Sequence, residues 1–138
     1  MPLVTVSDIE STSEKALRSY GAREWIAKSV ARAIADSEAH GNVICGLYYL
    51  ESYCLQLASG RVSGSNDPHV SIPRPGSVIV DAKYGFAQAA FERAFPLAVE
   101  TTQKNGTASL SIAHSHTCTS LGYFTNQFAA HGLLALGF

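Results

Sequence analysis

Hydrophobic residues in the first forty positions recur at helical spacing. Ser7 and Glu10 are spaced as in a capping box, and Gly21 stands where helices commonly end, so a first short helix is predicted between them. The apolar positions that follow share one face: Ile26, Val30, Ala33, Ile34 and Ser37. Residues 22–40 are therefore predicted to form a second, amphipathic helix that ends before Gly41.

The helical pattern continues to Gly60 and then stops. A third helix is predicted from one apolar stripe: Leu47, Leu50, Cys54, Leu57 and Ala58. Residues 61–77 are rich in Pro, Gly, Ser and Asn, which interrupt regular structure, so this segment is predicted to be a linker or extended arm. We therefore place a helical N-terminal domain at residues 1–60.

Residues 78–138 alternate between strand-like and helix-like patterns. The predicted order is strand SVIVDA, helix FAQAAFERAFPLAVETTQK, strand TASLSIA, helix TSLGYFTNQFAAH and strand LLALGF. This order predicts an α/β fold in which a strand-helix-strand-helix-strand part follows the helical segment. Because the last predicted strand runs to Phe138 without a polar tail, we expect a truncated domain, a portion of a longer protein.

Composition narrows the class of protein. The 138 residues are 46% hydrophobic and 15% charged, which favours an ordered globular chain. A net charge of −1 without basic runs disfavours a nucleic-acid partner. The N-terminus lacks a signal-peptide pattern and no apolar stretch reaches membrane-spanning length, so we expect a cytoplasmic protein with no membrane partner. Three cysteines without a CxxC pair predict reduced thiols.

The segment IAHSHTCTSLGYF, residues 112–124, concentrates chemically versatile side chains between a strand and a helix. In extended geometry, the side chains of His114 and His116 would point to the same face and could bind one ligand. Cys118 would lie on that face as well. Zinc binding by these three side chains is one hypothesis. We predict no metal site, however, because no further ligand is spaced to complete one.

An anion site fits the same segment better. It offers hydroxyl groups and the first amides of the following helix, which suit a phosphate or carboxylate, while His114 or His116 could add a charge or a proton. The hydroxyl groups belong to Ser115, Thr117, Thr119 and Ser120. The alternative is structural: Thr117 or Thr119 caps the helix and the histidines are ordinary loop residues. Spacing alone leaves both interpretations open.

Cys45 lies at the predicted start of the third helix. The helix dipole there could lower the pKa of its thiol and make it reactive. The competing interpretation is buried packing beside Ile44 and Leu47, which small apolar residues usually adopt. Cys54, on the apolar stripe, is predicted to be a core residue.

The order of these segments resembles the non-Rossmann malate/L-lactate dehydrogenase family. The likeness is carried by IADSEAHGNVICGLYYLESYCLQLASGRV, PRPGSVIVDAKYGFAQ and SIAHSHTCTSLGYFTNQFAAHGLLALGF, and spans nearly the whole chain. It implies a small helical domain before a cofactor-binding domain, partial here at residues 78–138. It also implies NAD or NADP as cofactor, a small-molecule substrate and a homodimer.

The resemblance also assigns site residues. The family's Asp-Ser-His-Gly stretch, whose histidine resembles a general acid/base, corresponds to Val43, Ile44, Cys45 and Gly46. Cys45 thus takes the histidine's position, and a thiol with an ordinary pKa near ~8.5 shuttles protons less well at neutral pH than imidazole. The catalytic candidates are therefore Cys45 and His116, which could take over the proton transfer, with His114 in reserve.

A second family stretch, Ser-(Asn or His)-His-Phe-Gly, contacts cofactor. Its positions correspond to Ser115, His116, Thr117, Cys118 and Thr119, of which the first two match. Further matches support the fold: Asp81, Gly85, Phe86, Gln88, Gly122 and Tyr123. The resemblance implies cofactor contacts by His114, Ser115, His116, Thr117 and Tyr123.

Two functions from different classes follow. The first is an oxidoreductase that transfers a hydride between a nicotinamide cofactor and a small 2-hydroxy or 2-oxo acid, or a cyclic imino acid. The second is a truncated, non-catalytic relative that acts as a fold remnant or interaction subunit. Binding of a reduced nicotinamide cofactor distinguishes them.

Overall fold

The chain forms two compact units. The computed structural model describes residues 3–138; the first unit ends at Ser65 and the second comprises Asn66–Phe138. None of the described helices is both long and apolar enough to cross a bilayer.

The first helix, α1, begins at a different cap from the one predicted. It spans Val6–Ser19, and its N-cap is Thr5. The hydroxyl of Thr5 accepts the N–H of Asp8 at 3.1 Å, while the Asp8 carboxylate accepts the N–H of Thr5 at 3.3 Å. The predicted box at Ser7 and Glu10 is therefore wrong by two residues, because Thr5 and Asp8 satisfy the first amides earlier. The helix ends before Gly21 as predicted.

The second helix, α2, follows its apolar pattern closely. It spans Glu24–Ala39 and packs against α1, and the five residues predicted on its apolar face are all buried. Two short 3-10 turns come next, Val43–Cys45 and Leu47–Tyr49, before α3 at Leu50–Ala58. The third helix therefore starts at Leu50 and not at Leu47, and Cys54 is buried on it as predicted.

The second unit is a three-stranded sheet with two helices. The strands lie in the order β1-β2-β3, with β1 antiparallel to β2 and β2 parallel to β3. The helix α4 makes the crossover between the two parallel strands. The elements are β1 His69–Arg74, β2 Ser77–Asp81, α4 Ala87–Asn105, β3 Ser109–Ala113 and α5 Leu121–Ala129.

Two elements of this unit differ from the predicted pattern. Within segment 61–77, predicted to be a linker or extended arm, residues His69–Arg74 form the regular strand β1, which pairs with β2. Its Pro73 is compatible with an edge strand, which has a side free of ladder hydrogen bonds. Conversely, residues 133–138 form no strand, and Leu134 and Phe138 are almost fully exposed. An apolar alternation needs a surface to pack on, and the described residues provide none for these side chains.

The core of this unit lies between β2 and α4. Val78 and Val80 point from the strand toward α4 and are completely buried against Ala90, Ala94 and Ala98. Small alanine side chains allow the helix to approach the sheet closely, and burial of the valines stabilises the pair through the hydrophobic effect. The predicted α/β fold class, with helices followed by strands, is confirmed.

Candidate functional site

The parallel pairing of β2 and β3 brings two chain segments to the same sheet edge. Asp81 and Ala113, the last residues of the two strands, are partners in the register. The turn 82–85 leaves the edge from β2, and residues 114–120 leave it from β3; we call the latter the β3–α5 loop. Ligands of open α/β sheets bind at the carboxyl ends of parallel strands, so this edge is the candidate site.

The turn after β2 has an unusual backbone. Lys83 and Tyr84 have φ angles of +49° and +62°, a region that side chains other than glycine seldom adopt. The Asp81 carboxylate stabilises the turn by accepting the N–H of Lys83 at 2.8 Å. The amide of Asn66 adds a bond to the carbonyl of Lys83 at 2.9 Å. Tyr84 is held with its side chain largely exposed.

His114 is fixed beside that turn. Its Nδ1 lies 3.1 Å from Oδ1 of Asp81, where the carboxylate accepts the Nδ1–H, and its carbonyl accepts the N–H of Tyr84 at 2.7 Å. The Lys83 N–H and, secondly, the His114 ring hold the pKa of Asp81 below its usual value. Asp81 therefore stays ionised and orients the imidazole.

His116 has a different environment from His114. Its N–H donates to the carbonyl of Gly85 at 2.8 Å, and its ring meets the Phe86 ring edge-on at a centroid distance of 5.8 Å. The extended geometry in which the two histidines would face one side is absent, because β3 ends at Ala113 and His114 has a φ of +48°. A left-handed residue ends the alternation of an extended strand.

The hydroxyl groups of the β3–α5 loop do not cap the next helix. Ser120 is the N-cap of α5, and its side chain makes no capping bond. Thr119 donates its hydroxyl to the carbonyl of Cys118 at 2.7 Å, and Thr117 accepts the N–H of Thr119 at 3.4 Å. The prediction that Thr117 or Thr119 caps the helix is therefore wrong. Ser115 and Thr117 are exposed, and Tyr123 lies in the first turn of α5, half-buried.

The three residues of the zinc hypothesis do not form a metal site. Across residues 3–138, no group of three or more His, Cys, Asp or Glu side chains is arranged to hold a metal ion. His114 instead pairs with Asp81, while Cys118 is half-buried within the loop.

Cys45 belongs to the first unit and lies in a 3-10 turn. It is half-buried, and the turn ends at Gly46, so Cys45 is not part of the third helix as predicted. Gly46 lies against the side chain of Glu38, whose carboxylate accepts the N–H of Leu47 at 2.7 Å. A Cβ at Gly46 would overlap the Glu38 side chain, which would have to shift from its bond to the N–H of Leu47. Ile44, predicted as a packing neighbour, is 63% exposed.

Sequence reasoning missed two contributors to the site. The family resemblance matches Asp81 only as a residue of the fold. Its hydrogen bond to His114 joins residues 33 positions apart, which no local sequence pattern reveals. The signal that was available is the parallel order of the strands, which brings their carboxyl ends together. Gln88, also matched only for the fold, is buried beneath the loop and donates to the carbonyl of Cys118 at 3.4 Å.

Comparison with known proteins gives the family. The family model described as malate/L-lactate dehydrogenase matches residues 4–138. The chain belongs to the malate/L-lactate dehydrogenase family. The resemblance noted in the sequence is therefore confirmed, and it covers nearly every residue described above.

Curated relatives of this malate/L-lactate dehydrogenase family member are similar along almost its full length. It is 34% identical to a Delta(1)-pyrroline-2-carboxylate/Delta(1)-piperideine-2-carboxylate reductase of Pseudomonas putida over 96% of this chain and 39% of that protein. It is 31% identical to a (2R)-3-sulfolactate dehydrogenase (NADP(+)) of Chromohalobacter salexigens, over 99% of this chain and 40% of that protein. The chain thus spans about two fifths of the length of these relatives.

Solved structures agree in fold. The delta1-piperideine-2-carboxylate reductase of Pseudomonas syringae matches with a TM-score of 0.92 at 28% identity, over 96% of this chain and 40% of that one. A malate dehydrogenase of Pyrococcus horikoshii matches with a TM-score of 0.86 at 23% identity, over 94% of this chain and 37% of that one. The second match supports the fold alone.

Proposed function

We propose that this chain is part of an oxidoreductase that acts on a small 2-hydroxy or 2-oxo acid, or on a cyclic imino acid, with NAD or NADP as cofactor. The observation that carries the proposal is the family match over residues 4–138. Relatives named as reductases of cyclic imino acids and as a sulfolactate dehydrogenase support the two substrate classes. When bound, the cofactor supplies or accepts the hydride.

The chemistry of the β3–α5 loop fits a nicotinamide dinucleotide. Ser115 and Thr117 present exposed hydroxyl groups, and the first turn of α5 has no capping bond from Ser120. Hydroxyl and helix N-terminal amide groups are the donors that phosphate oxygens prefer. We therefore assign cofactor contacts to His114, Ser115, His116, Thr117 and Tyr123.

Proton transfer is assigned to His116, with Cys45 as the second candidate. The ring of His114 already contacts the Asp81 carboxylate and the Tyr84 ring. His116, in contrast, is half-buried, and its backbone N–H is hydrogen-bonded to the carbonyl of Gly85. An imidazole is a better proton shuttle near neutral pH than the thiol of Cys45. His116 would hold the proton that the substrate oxygen or nitrogen gains on reduction.

A turnover assay tests this function. Oxidation of NADH or NADPH by the chain is followed with 2-oxo acids and cyclic imino acids as substrates. Loss of a positioned general acid typically costs about 10²–10⁴-fold in rate, so His116→Gln is expected to fall in that range. The matched control is His131→Gln, because His131 is exposed at the end of α5. Equal rates for wild type and His116→Gln would exclude His116 as the proton donor.

A non-catalytic relative is the second candidate. Its supporting observation is the turn at residues 43–46, where Val43 and Ile44 are exposed. The family resemblance matches Cys45 of this turn to the position of the family's histidine. The family resemblance also favours a homodimer, and light scattering on the same sample measures its mass. A dimer that neither binds nor oxidises the cofactor would support the interaction subunit over the enzyme.

A further inference from the structure

Two rings are presented together at the candidate site. Tyr84, in the turn after β2, is 69% exposed, and His114, the first residue after β3, is also exposed. Their ring centroids are 5.6 Å apart with an angle of 35° between the planes. We call them the Tyr84–His114 ring pair. It lies at the carboxyl edge of the parallel strands, beside the hydroxyl groups of the β3–α5 loop.

The backbone that presents this pair is strained. Lys83, Tyr84 and His114 all have φ between +48° and +62°, which costs free energy for any residue with a Cβ. The strain is held in place by hydrogen bonds: Asp81 accepts the N–H of Lys83, and His114 accepts the N–H of Tyr84. Three left-handed residues around one pair of rings point to a defined arrangement and not to a loose turn.

Burial does not compensate for this strain. Tyr84 and the His114 side chain remain largely in solvent, so neither ring gains much hydrophobic stabilisation within the chain. Strained residues that the fold holds in exposed positions cluster at ligand sites. The strained turn is therefore a candidate ligand site.

We propose that the Tyr84–His114 ring pair is a stacking surface for one planar ring of the nicotinamide cofactor. The inference rests on the proposed function and names a subsite within it. Aromatic faces bind nucleobase-like rings by stacking, which suits the rings of a dinucleotide. Asp81 fixes the orientation of His114, and the loop hydroxyl groups provide phosphate donors on the same edge.

Calorimetric titration with NADH and NADPH tests the subsite without requiring turnover. Tyr84→Ala keeps the Cβ and hence the backbone preference, but removes the ring. Because stacking on an aromatic side chain is worth about 1–3 kcal/mol per base, the Kd of Tyr84→Ala is expected to rise about 5- to 150-fold. Tyr84→Phe keeps the ring and is expected to bind within about twofold of wild type. Circular dichroism establishes that each variant is folded.

Control variants separate the possible results. Tyr48→Ala removes another exposed tyrosine, located in the first unit, and is expected to leave Kd unchanged. If wild type binds the cofactor and Tyr84→Ala binds it equally well, the stacking surface is overturned and the oxidoreductase proposal remains intact. Equal losses in Tyr84→Phe and Tyr84→Ala would also overturn it, since the hydroxyl and not the ring would then matter. No binding by folded wild type would overturn both proposals.

Discussion

Replacing Gln88 by methionine is expected to stabilise the chain and weaken its cofactor site. Gln88 is 1% exposed in the first turn of α4, and within residues 3–138 its Oε1 has no hydrogen-bond partner. Its Nε2 makes only a long bond of 3.4 Å to the carbonyl of Cys118. Methionine has a similar length and helix propensity, so the change removes the amide without creating a large cavity.

The expected change in the free energy of unfolding of Gln88→Met is the difference between two opposing contributions. A buried, unsatisfied polar atom costs about 1–3 kcal/mol, whereas a single neutral hydrogen bond contributes about 0.5–1.5 kcal/mol, less when it is long. The carbonyl of Cys118 keeps its 2.7 Å bond from the hydroxyl of Thr119, so it is not left unsatisfied. The net stabilisation expected for Gln88→Met is about 1 kcal/mol, or roughly 3–5 °C in Tm for a chain of this size.

Urea and thermal unfolding by circular dichroism measure this gain. The matched control is Gln56→Met: Gln56 is half-buried and its Nε2 donates to Ser52 at 3.0 Å, so this substitution is expected to be neutral or mildly destabilising. Calorimetry should show weaker cofactor binding by Gln88→Met, because the β3–α5 loop loses the amide beneath it. Destabilisation of Gln88→Met by about 1 kcal/mol or more would instead show that the amide of Gln88 is well hydrogen-bonded in the folded chain.

Three further predictions concern the core, the ionised edge and the thiols. Val80→Ala removes two methyl groups from a completely buried position, and urea unfolding is expected to show a loss of about 1–3 kcal/mol. The pKa of Asp81 is lowered in the folded chain, so its contribution to stability is present above about pH 4 and is lost as the pH falls through the folded pKa. Asp81→Asn should therefore weaken the loss of unfolding free energy below about pH 4. An unchanged pH dependence in this variant would show that the Asp81 carboxylate does not contribute to it. Burial raises the pKa of the Cys54 thiol, so mass spectrometry after brief alkylation should find Cys45 and Cys118 modified first.

The elements that sequence predicted well are those whose pattern and stop signals agree. The second helix has a continuous apolar face and ends before Gly41, which has a φ of +73°. Likewise, β2 alternates cleanly, with Val78 and Val80 buried and Ile79 partly exposed. In both cases, the residues that produce the apolar pattern in the sequence are the ones that tertiary packing buries.

The elements that sequence missed depend on partners distant in the chain. The first strand, β1, contains Pro73, is flanked by Pro68 and Pro75, and is largely exposed, so its local signal is that of a loop. Its pairing with β2 gives it an ordered extended conformation. At the candidate site, the sequence indicated the loop and its histidines but not the left-handed backbone at His114. The left-handed turn at His114 arises from bonds to Asp81 and Tyr84, and neither contact is visible in local spacing.

Nuclear magnetic resonance of the chain, labelled with ¹⁵N and titrated with NADH and with NADPH, tests the cofactor site most directly. Saturable amide shifts are expected to concentrate in residues 82–85 and 114–123, and the same titration is expected to reduce the side-chain mobility of His114. Absence of any shift in a folded chain at millimolar cofactor, or shifts confined to residues outside the second unit, would contradict the assignment of cofactor binding to this edge of the sheet.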